Sequence, residues 1–359
     1  MAVLSLHAGR RKGVRSRQAA GPLLALLGTA VVAAAVLSLD QGATTVRLRD
    51  LPALFVAGSG TPDQEIARLV LIDIRLPRIV QGLLTGAALG AAGAVMQGLF
   101  RNPLADPGLV GVSSGAALAT AMIIVLGDGV LAPFLAPLGP WALPVAGIAG
   151  GFAATLLLYA FASLRGTLSI ASVLLGGIAL SAFAGALTGV LVFMANDRQL
   201  RDLTFWTLGS LSGVSWPRLA AELPFLILGA LCLGPLAHTL NALLLSESDA
   251  FHMGANVERA KRLSLLAVAC LVGVTVSTVG VIGFIGVLVP NLARLLVGPD
   301  HRLVLPVSAL TGALLLLGAD MISRTAAAPA EMPVGVVTAV IGAPCFFWLL
   351  LRGHREPGS

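Results

Sequence analysis

Long apolar stretches recur along the chain from Gly21 almost to its last residue, and short polar connections separate them. A helix that crosses a bilayer needs about 20 mainly apolar residues, which most of these stretches provide. No segment between them fits a water-soluble domain. The pattern therefore predicts an all-α polytopic membrane protein with about ten transmembrane helices. The predicted spans lie near residues 21–39, 79–99, 107–127, 141–163, 168–194, 219–240, 263–282, 284–297, 303–322 and 333–351.

Composition agrees with a location in a bilayer. Of the 359 residues, 57% are hydrophobic and only 11% are charged, and the mean hydropathy is +0.94. The 42 glycines and 20 prolines fit this interpretation, because spanning helices tolerate both and small residues let helices approach closely. Cys232, Cys270 and Cys345 lie in separate apolar runs without disulfide or metal-site spacing, so we interpret them as core residues.

A basic cluster precedes the first apolar run, residues 21–39. A cleaved signal peptide has a similar layout, but this run is long for a signal sequence and no cleavage site of small residues is clear. We predict a cytoplasmic N-terminus at 1–20, a transmembrane domain at 21–351 and a cytoplasmic tail at 352–359. With this orientation, fourteen of the 23 basic residues lie on the cytoplasmic side, as the positive-inside rule requires. The net charge of +6 then reflects topology and not a surface for nucleic acid.

Sequence motifs of enzymes are missing or stand in the wrong context. A phosphate-binding loop needs Gly-Lys-Ser/Thr, but the two lysines, Lys12 and Lys261, do not follow a glycine. The stretch Gly111-Val-Ser-Ser-Gly115 matches a nucleophile elbow, which requires a strand-to-helix turn, yet here it opens a membrane helix. The zinc motif HExxH does not occur. We predict no catalytic residue, no metal site and no cofactor in this chain.

A short segment after the second predicted span contains two closely spaced helix breaks. Asn102-Pro103 and Asp106-Pro107 predict a sharp turn between two spans, in which Asp106 caps a helix that begins at Pro107. On the helix before this turn, glycines at four-residue spacing share one face and permit close contact with another helix. These glycines are Gly82, Gly86 and Gly90.

A series of short motifs follows in order over nearly the whole chain. They are Arg75-Leu-Pro-Arg78, Met96-Gln-Gly-Leu-Phe-Arg-Asn-Pro-Leu-Ala-Asp-Pro107, Gly111-Val-Ser-Ser-Gly115, Gly283-Phe-Ile-Gly-Val-Leu-Val-Pro290, Gly298-Pro-Asp-His-Arg302, Ala319-Asp320, Arg324, Ala330-Glu-Met-Pro-Val-Gly335 and Gly342-Ala-Pro344. Together they resemble the permease family for iron-siderophore, haem and cobalamin import. The resemblance implies the architecture of a type II ABC importer permease in a bacterial inner membrane. It also implies a homodimer, two cytoplasmic ATPases that bind ATP and Mg, and an outer substrate-binding protein.

The resemblance also implies a docking site for the binding protein. In the family, arginines on the outer rim hold acidic residues on the two lobes of that protein, and the matching residues are Arg75, Arg78 and Arg324. Guanidinium suits this role because it forms bidentate pairs with carboxylates. Anchoring of Arg75 and Arg78 at the membrane interface remains an alternative, and Arg324 is also placed to pair with Asp320 one helical turn earlier.

Two further sites implied by the resemblance lie near the cytoplasm. The narrow exit gate corresponds to Asn102, Leu104, Ser169 and Ile170. The polar segment 241–262 is too long for a tight turn and corresponds to the coupling helices that contact the ATPase, with a bend at Gly254 between two short helices. The predicted coupling residues are Ser246, Glu247, Asp249, Gly254 and Asn256.

Four polar residues near the predicted cytoplasmic side have more than one interpretation. Asn291 stands where the family commonly has histidine, and its simplest interpretation is an amide that bonds a neighbouring helix. His238, His252 and His301 fall at predicted cytoplasmic helix ends. We interpret these histidines as surface or helix-end residues and not as haem ligands.

The leading functional hypothesis is import of an iron chelate, with haem favoured because the stretch 98–115 resembles haem permeases. Siderophore and cobalamin permeases share the architecture and stay open. An ion-coupled secondary transporter would usually carry ionisable residues at mid-membrane. Asp106, Asp320 and Glu331 instead lie near predicted helix ends, which disfavours ion coupling. A membrane enzyme is weaker still, since no nucleophile and base or metal constellation is present.

Overall fold

The computed structural model describes residues 2–41, 62–108, 111–163, 170–327 and 330–353, which contain helices and no strand. The sequence also predicts a short amphipathic stretch, 48–56, along the outer surface, and this stretch lies outside the described residues. A π-helical segment, Val70–Arg75, joins the helices Pro62–Leu69 and Leu76–Phe100, and a 3-10 turn, Gly139–Trp141, precedes the helix Ala142–Ser163. The α-helices are α1 (Ala2–Asp40), α2 (Pro62–Leu69), α3 (Leu76–Phe100), α4 (Val112–Leu126), α5 (Ala132–Leu135), α6 (Ala142–Ser163), α7 (Ile170–Met194), α8 (Asp197–Thr207), α9 (Trp216–Leu243), α10 (Glu247–His252), α11 (Val257–Val279), α12 (Ile285–Val297), α13 (His301–Thr325) and α14 (Val334–Gly353).

Each predicted span corresponds to a helix in the structure. Within the described residues, seven helical stretches are long and apolar enough to cross a membrane, and α4, α12 and α14 are shorter apolar helices. The prediction of an all-helical protein with about ten spans is therefore confirmed. The short helices α2, α5, α8 and α10 are polar or brief connections between the spans.

The second span is much longer than predicted. Helical structure runs without interruption from Gln64 to Phe100, 37 residues. At 1.5 Å per residue this is roughly 55 Å, against a hydrocarbon core of about 30 Å. The prediction of a start near residue 79 was wrong, because Asp73 and Arg75 interrupt the apolar run without interrupting the helix. The span therefore continues beyond the membrane core at its first end, where Arg75 and Arg78 lie.

The third span starts later than predicted. We expected a helix from Pro107 capped by Asp106, but α4 begins at Val112. The Oδ1 atom of Asp106 instead accepts a hydrogen bond from the backbone N–H of Gly108 at 2.7 Å, so its side chain closes a turn. Gly111 then adopts a left-handed backbone with φ of 81°, which glycine reaches at low cost. The chain needs this extra turn before it can enter α4.

Glycines bring the central helices together. In the most apolar stretch of the span that contains α3, 78% of the residues are buried. The corresponding share is 6% for α1 and 17% for α7, so α3 is the central helix. A Cβ atom on Gly86 would overlap the backbone carbonyl of Gly312 on α13, and one on Gly90 would overlap the carbonyl of Ser308. The predicted packing role is confirmed for Gly86 and Gly90, whereas a Cβ atom on Gly82 would make only ordinary contact with Leu211 at 3.4 Å. Any side chain larger than hydrogen would push α3 away from α13.

The hydrophobic core surrounds α3. This helix packs on α13, α12 and α11, while α11 also contacts α9 and α6. Cys232 and Cys270 are buried, as predicted for core residues, and Cys345 is half-buried; all three are free thiols. The core therefore joins the first and second halves of the chain into one bundle, which places residues far apart in sequence side by side.

Candidate functional site

Arg78 on α3 lies between two carboxylates from the C-terminal half of the chain. Its Nε and Nη2 atoms are both 2.9 Å from Oδ1 of Asp320 on α13. Its Nη1 atom is 2.8 Å from Oε2 of Glu331, which lies in the connection between α13 and α14. The guanidinium therefore engages one buried and one accessible acid at the same time.

Arg324 joins the same acid to the end of α1. Its Nε atom is 3.0 Å from Oδ2 of Asp320, which confirms the predicted pair one turn apart. Its Nη1 atom donates to the carbonyls of Gln41 at 2.9 Å and Ser38 at 3.3 Å, and Nη2 donates to the hydroxyl of Ser38. Arg75 donates to the neighbouring carbonyl of Leu39. The two arginines thereby satisfy carbonyl groups at the α1 C-terminus, where helices leave such groups without internal partners.

These five side chains, Arg75, Arg78, Asp320, Arg324 and Glu331, are called the arginine cluster below. The three arginines are only 4%, 6% and 7% exposed. The resemblance implies rim arginines that hold acidic residues of a partner, but in the structure internal carboxylates and helix carbonyls engage donors of all three. Glu331 differs from the rest of the cluster, since its side chain is 50% exposed. Docking at this cluster stays a prediction.

The predicted exit gate contains a braced turn. Arg101 ends α3 in the left-handed conformation, with φ of 50°. The Oδ1 atom of Asn102 then accepts from the backbone N–H of Leu104 at 2.9 Å, so the Asn102 side chain holds the turn together. The Leu104 side chain is 39% exposed. Among the other predicted gate residues, Ser169 lies outside the described residues, and Ile170 begins α7.

Asn291 also belongs to this turn. Its Nδ2 atom donates to the carbonyl of Pro103 and to the carbonyl of Val287 on its own helix, both at 2.9 Å. The interpretation as an amide that bonds a neighbouring segment fits this contact. The structure adds that the neighbouring segment is the predicted gate turn, so α12 and the turn are linked directly.

Asp106 ends the same turn in a buried position. Its carboxylate lies against Gly286 on α12, where a Cβ atom would come within 2.6 Å of Oδ2. Burial raises the pKa of Asp106 above its usual value, and the hydrogen bond from Gly108 opposes that shift. The acid therefore fixes the turn between α3 and α4 against α12 and is not a group at mid-membrane.

The predicted coupling segment forms a capped helix followed by a bend. Ser246 caps α10 by accepting from the backbone N–H of Asp249 at 2.9 Å. Gly254 has φ of 80°, which confirms the predicted bend. Asn256 caps α11, accepting from Arg259 at 2.9 Å. The second short helix that we expected is instead the first turn of the long helix α11, because nothing after Asn256 interrupts the helix.

Large apolar side chains on and beside α10 are exposed. Leu245, Phe251 and Met253 are 65%, 71% and 58% exposed. Glu247 forms an ion pair with Lys261 at 3.0 Å, which ties α10 to α11. The segment therefore combines a rigid frame with an exposed apolar surface, an arrangement typical of a protein contact.

The three histidines have different environments. His238 and His252 are exposed, as predicted for surface residues. His301 is 0% exposed, which corrects the surface interpretation for this residue. Its backbone N–H donates to Oδ1 of Asn241 at 2.7 Å, and its Nδ1 atom lies 3.0 Å from the same oxygen. His301 therefore joins the start of α13 to the end of α9.

Sequence reasoning missed a buried carboxyl group. Glu222 on α9 is 1% exposed, and its Oε2 atom accepts from Nε2 of Gln81 on α3 at 2.8 Å. Gln81 also lies 3.1 Å from the hydroxyl of Thr85. A single glutamate within the apolar run of α9 was the available signal. In the described part of the chain, Glu222 belongs to no group of three or more His, Cys, Asp or Glu residues that could hold a metal ion.

Comparison with known families identifies the architecture. A model of the FecCD transport family matches residues 30–352, which is most of the chain. The chain belongs to the FecCD transport family. The hemin transport system permease protein HmuU of Yersinia pestis is 42% identical over 349 residues, covering 96% of this chain and 98% of the relative. The cobalamin import system permease protein BtuC of Halobacterium salinarum is 43% identical over 304 residues, covering 83% of this chain and 79% of the relative.

Solved structures agree with this assignment. A chain assigned to the metal-chelate type of ABC transporter, in an inward-facing conformation, has a TM-score of 0.77 and 30% identity, covering 92% of this chain and 99% of that one. PsaBC from Streptococcus pneumoniae has a TM-score of 0.55 at 18% identity, covering 80% and 95%, which shows the fold alone. The FecCD protein described here is thus the multi-pass permease subunit of an ABC importer. It is not an enzyme, and ATP hydrolysis belongs to a separate subunit.

Proposed function

We propose that two copies of this permease form the pathway through which an iron chelate, haem in the first place, enters a bacterial cytoplasm across the inner membrane. The observation that carries the choice of haem is the extent of the match to the hemin permease. That match covers 96% of the chain, whereas the match to the cobalamin permease covers 83% at similar identity. Cobalamin is the second candidate because the cobalamin permease is 43% identical to this chain. A siderophore is the third candidate.

The surface around α10 supports the proposal that an ATPase subunit binds each permease copy. Leu245, Phe251 and Met253 expose apolar area beside a helix that is capped by Ser246 and tied to α11 by the pair between Glu247 and Lys261. A rigid apolar surface can transmit a displacement, because it moves as one piece with the helix behind it. Through α11 the displacement would reach the core of the bundle.

The turn after α3 supports the proposal of a cytoplasmic gate. Leu104 exposes an apolar side chain, while Asn102 uses its amide oxygen to hold the turn. We therefore assign closure of the pathway to Leu104 and bracing to Asn102. The bond from Asn291 to Pro103 lets α12 move the turn. Ser169 and Ile170 stay part of the proposed gate on the family resemblance alone.

The arginine cluster is the proposed docking site of the substrate-binding protein. The cluster lies at the end of the bundle that the topology prediction places outside, and guanidinium groups pair well with carboxylates on a partner. Two copies related by a two-fold axis would offer one cluster to each lobe of that protein. The three arginines are buried against internal partners, so Glu331 is the member of the cluster that is open to water.

Reconstitution in proteoliposomes tests the function. The permease would be purified alone and together with the ATPase subunit and the substrate-binding protein of the same importer, and uptake of haem, a ferric siderophore and cobalamin would be measured with ATP inside or outside. We expect ATP-dependent uptake of haem only in the complete system, and no ATP hydrolysis by the permease alone. Uptake of cobalamin in preference to haem would replace the first candidate by the second. Hydrolysis or uptake by the permease alone would contradict the assignment as a subunit.

A further inference from the structure

Arg78 has two carboxylate partners that differ in accessibility. Asp320 is 0% exposed, whereas the Glu331 side chain is 50% exposed, although both lie within 2.9 Å of the guanidinium. Asp320 contacts the Nε and Nη2 side of the guanidinium, and Glu331 contacts Nη1. One edge of the Arg78 guanidinium therefore pairs with a buried acid. The other edge pairs with an acid that water can reach.

The two ion pairs of Arg78 also differ in the free energy needed to break them. Removing a partner from a buried pair is costly because it leaves a charge without solvent or partner, while pairs with an exposed member contribute little to stability. Asp320 has a second partner, since its Oδ2 atom lies 3.0 Å from Arg324. If Glu331 moved away, Arg78 would keep Asp320 and expose Nη1 to the outside. A carboxylate from another protein could then take the vacated position with little change in energy.

The backbone next to Glu331 is held in place. The backbone N–H of Met332 donates to the carbonyl of Ser323 at 3.2 Å, and the Ser323 hydroxyl donates to the carbonyl of Met332. These bonds fix the connection to the last turns of α13. Departure of the Glu331 carboxylate therefore needs only a rotation of its side chain and not a rearrangement of the connection.

We propose that Glu331 is an internal substitute for an acidic residue of the substrate-binding protein, and that docking exchanges one carboxylate for another on Nη1 of Arg78. This inference rests on the proposed docking role of the arginine cluster. In the free permease Glu331 keeps the Nη1 donor of Arg78 paired, while Asp320 engages the Nε and Nη2 atoms. On docking, the acidic residue of the partner displaces Glu331 and forms the same charge-assisted hydrogen bond. Glu331 is thus a competitor that weakens docking and makes it readily reversible.

Removing the competitor should strengthen docking. The permease with its ATPase would be placed in lipid nanodiscs, and the affinity of the binding protein would be measured for the wild type, Glu331→Gln and Asp128→Asn. Asp128 is an exposed acid in the connection after α4, at the same predicted outer side, so its variant removes the same charge away from the cluster. We expect Glu331→Gln to lower the dissociation constant about two- to fivefold at low salt, a gain that disappears at high salt. Asp128→Asn should change it much less.

A third variant separates this inference from the docking proposal. Arg78→Lys keeps a positive charge but loses the bidentate geometry, and its folding can be checked by its melting temperature. If Arg78→Lys docks as tightly as the wild type, the arginine cluster is not the docking site. If it docks more weakly while Glu331→Gln docks no more tightly than Asp128→Asn, docking at the cluster stands and the exchange is overturned.

Discussion

Arg324 ties the C-terminal end of α1 to α13. It pairs with Asp320 on its own helix and donates to Ser38 and Gln41 at the end of α1. Most of α1 is not buried, since only 6% of the residues in its most apolar stretch lie inside the protein. Arg324 supplies three of the side-chain hydrogen bonds that attach this end of α1, and Arg75 adds one to Leu39.

Replacing Arg324 should destabilise the protein even without its partners. Arg324→Ala leaves the Asp320 carboxylate with Arg78 alone and the carbonyls of Ser38 and Gln41 without the Arg324 donor, so we expect a loss of about 3 kcal/mol in unfolding free energy. The measurement is thermal unfolding of the purified permease in detergent. Arg302→Ala is the control, because Arg302 is exposed at the opposite end of the same helix. Equal melting temperatures for the two variants would mean that Arg324 has no structural role.

At the residue scale, the sequence predicted pairs along one helix but not contacts between distant segments. The pair between Arg324 and Asp320 follows from their spacing of four on a helix. The pair between Arg78 and Asp320 joins residues 242 positions apart, which no local pattern can reveal. For the same reason the burial of the arginines was not predicted. Glu222 was missed because its partner Gln81 also comes from a distant helix.

The contact between α3 and α13 offers a test at the scale of helices. Gly86 and Gly312 face each other, and a Cβ atom on either would overlap the backbone of the other helix. Gly318 lies on the same helix as Gly312, but a Cβ atom there would meet nothing within 4 Å. We expect Gly312→Ala to cost about 1–3 kcal/mol through overpacking. Gly318→Ala should be neutral or slightly stabilising, since alanine favours helix.

Melting temperatures of the two alanine variants, purified in the same detergent, provide the measurement. Because both changes add one methyl group to the same helix, any difference reports the helix contact and not the composition. A smaller loss for Gly312→Ala than for Gly318→Ala would show that α3 and α13 do not approach as closely as the structure indicates.

The bend at Gly254 provides a second test at this scale. Its φ of 80° is incompatible with proline, whose ring holds φ near −65°, but asparagine tolerates the left-handed region. We expect Gly254→Pro to insert into the membrane at normal abundance while import falls at least tenfold, because α10 loses its orientation relative to α11. Gly254→Asn should import normally. Import by the proline variant at the rate of the asparagine variant would make segment 241–262 a passive connection.

Helix positions were largely predictable because apolar runs mark spans directly. The predicted span 333–351 and the observed helix Val334–Gly353 nearly coincide. Two boundaries failed for physical reasons. Polar residues such as Asp73 concealed the beginning of the 37-residue span, and the turn after Asp106 delayed the start of α4. Side-chain hydrogen bonds to the backbone help to determine such helix boundaries, and the pattern of apolar residues does not reveal these bonds.

At the scale of the whole molecule, the order of the spans determines which connections share a side. Three spans, α1, α3 and α4, precede Asp128, while six precede α10, the additional ones being α6, α7 and α9. Asp128 and Asp249 must therefore lie on opposite sides if every span crosses the membrane. The excess of basic residues predicts that the side of Asp249 is the cytoplasm.

Cysteine labelling tests this arrangement. A background without Cys232, Cys270 and Cys345 would receive either Asp128→Cys or Asp249→Cys, both at exposed positions. Sealed vesicles of either orientation would be treated with a membrane-impermeant maleimide. We expect Asp128→Cys to react in right-side-out vesicles and Asp249→Cys in inside-out vesicles, because the hydrocarbon core blocks a charged reagent. Reaction of both from one side would mean that one of the intervening helices does not cross. The reverse pattern would leave the fold intact but place the arginine cluster in the cytoplasm, where no outer binding protein could reach it.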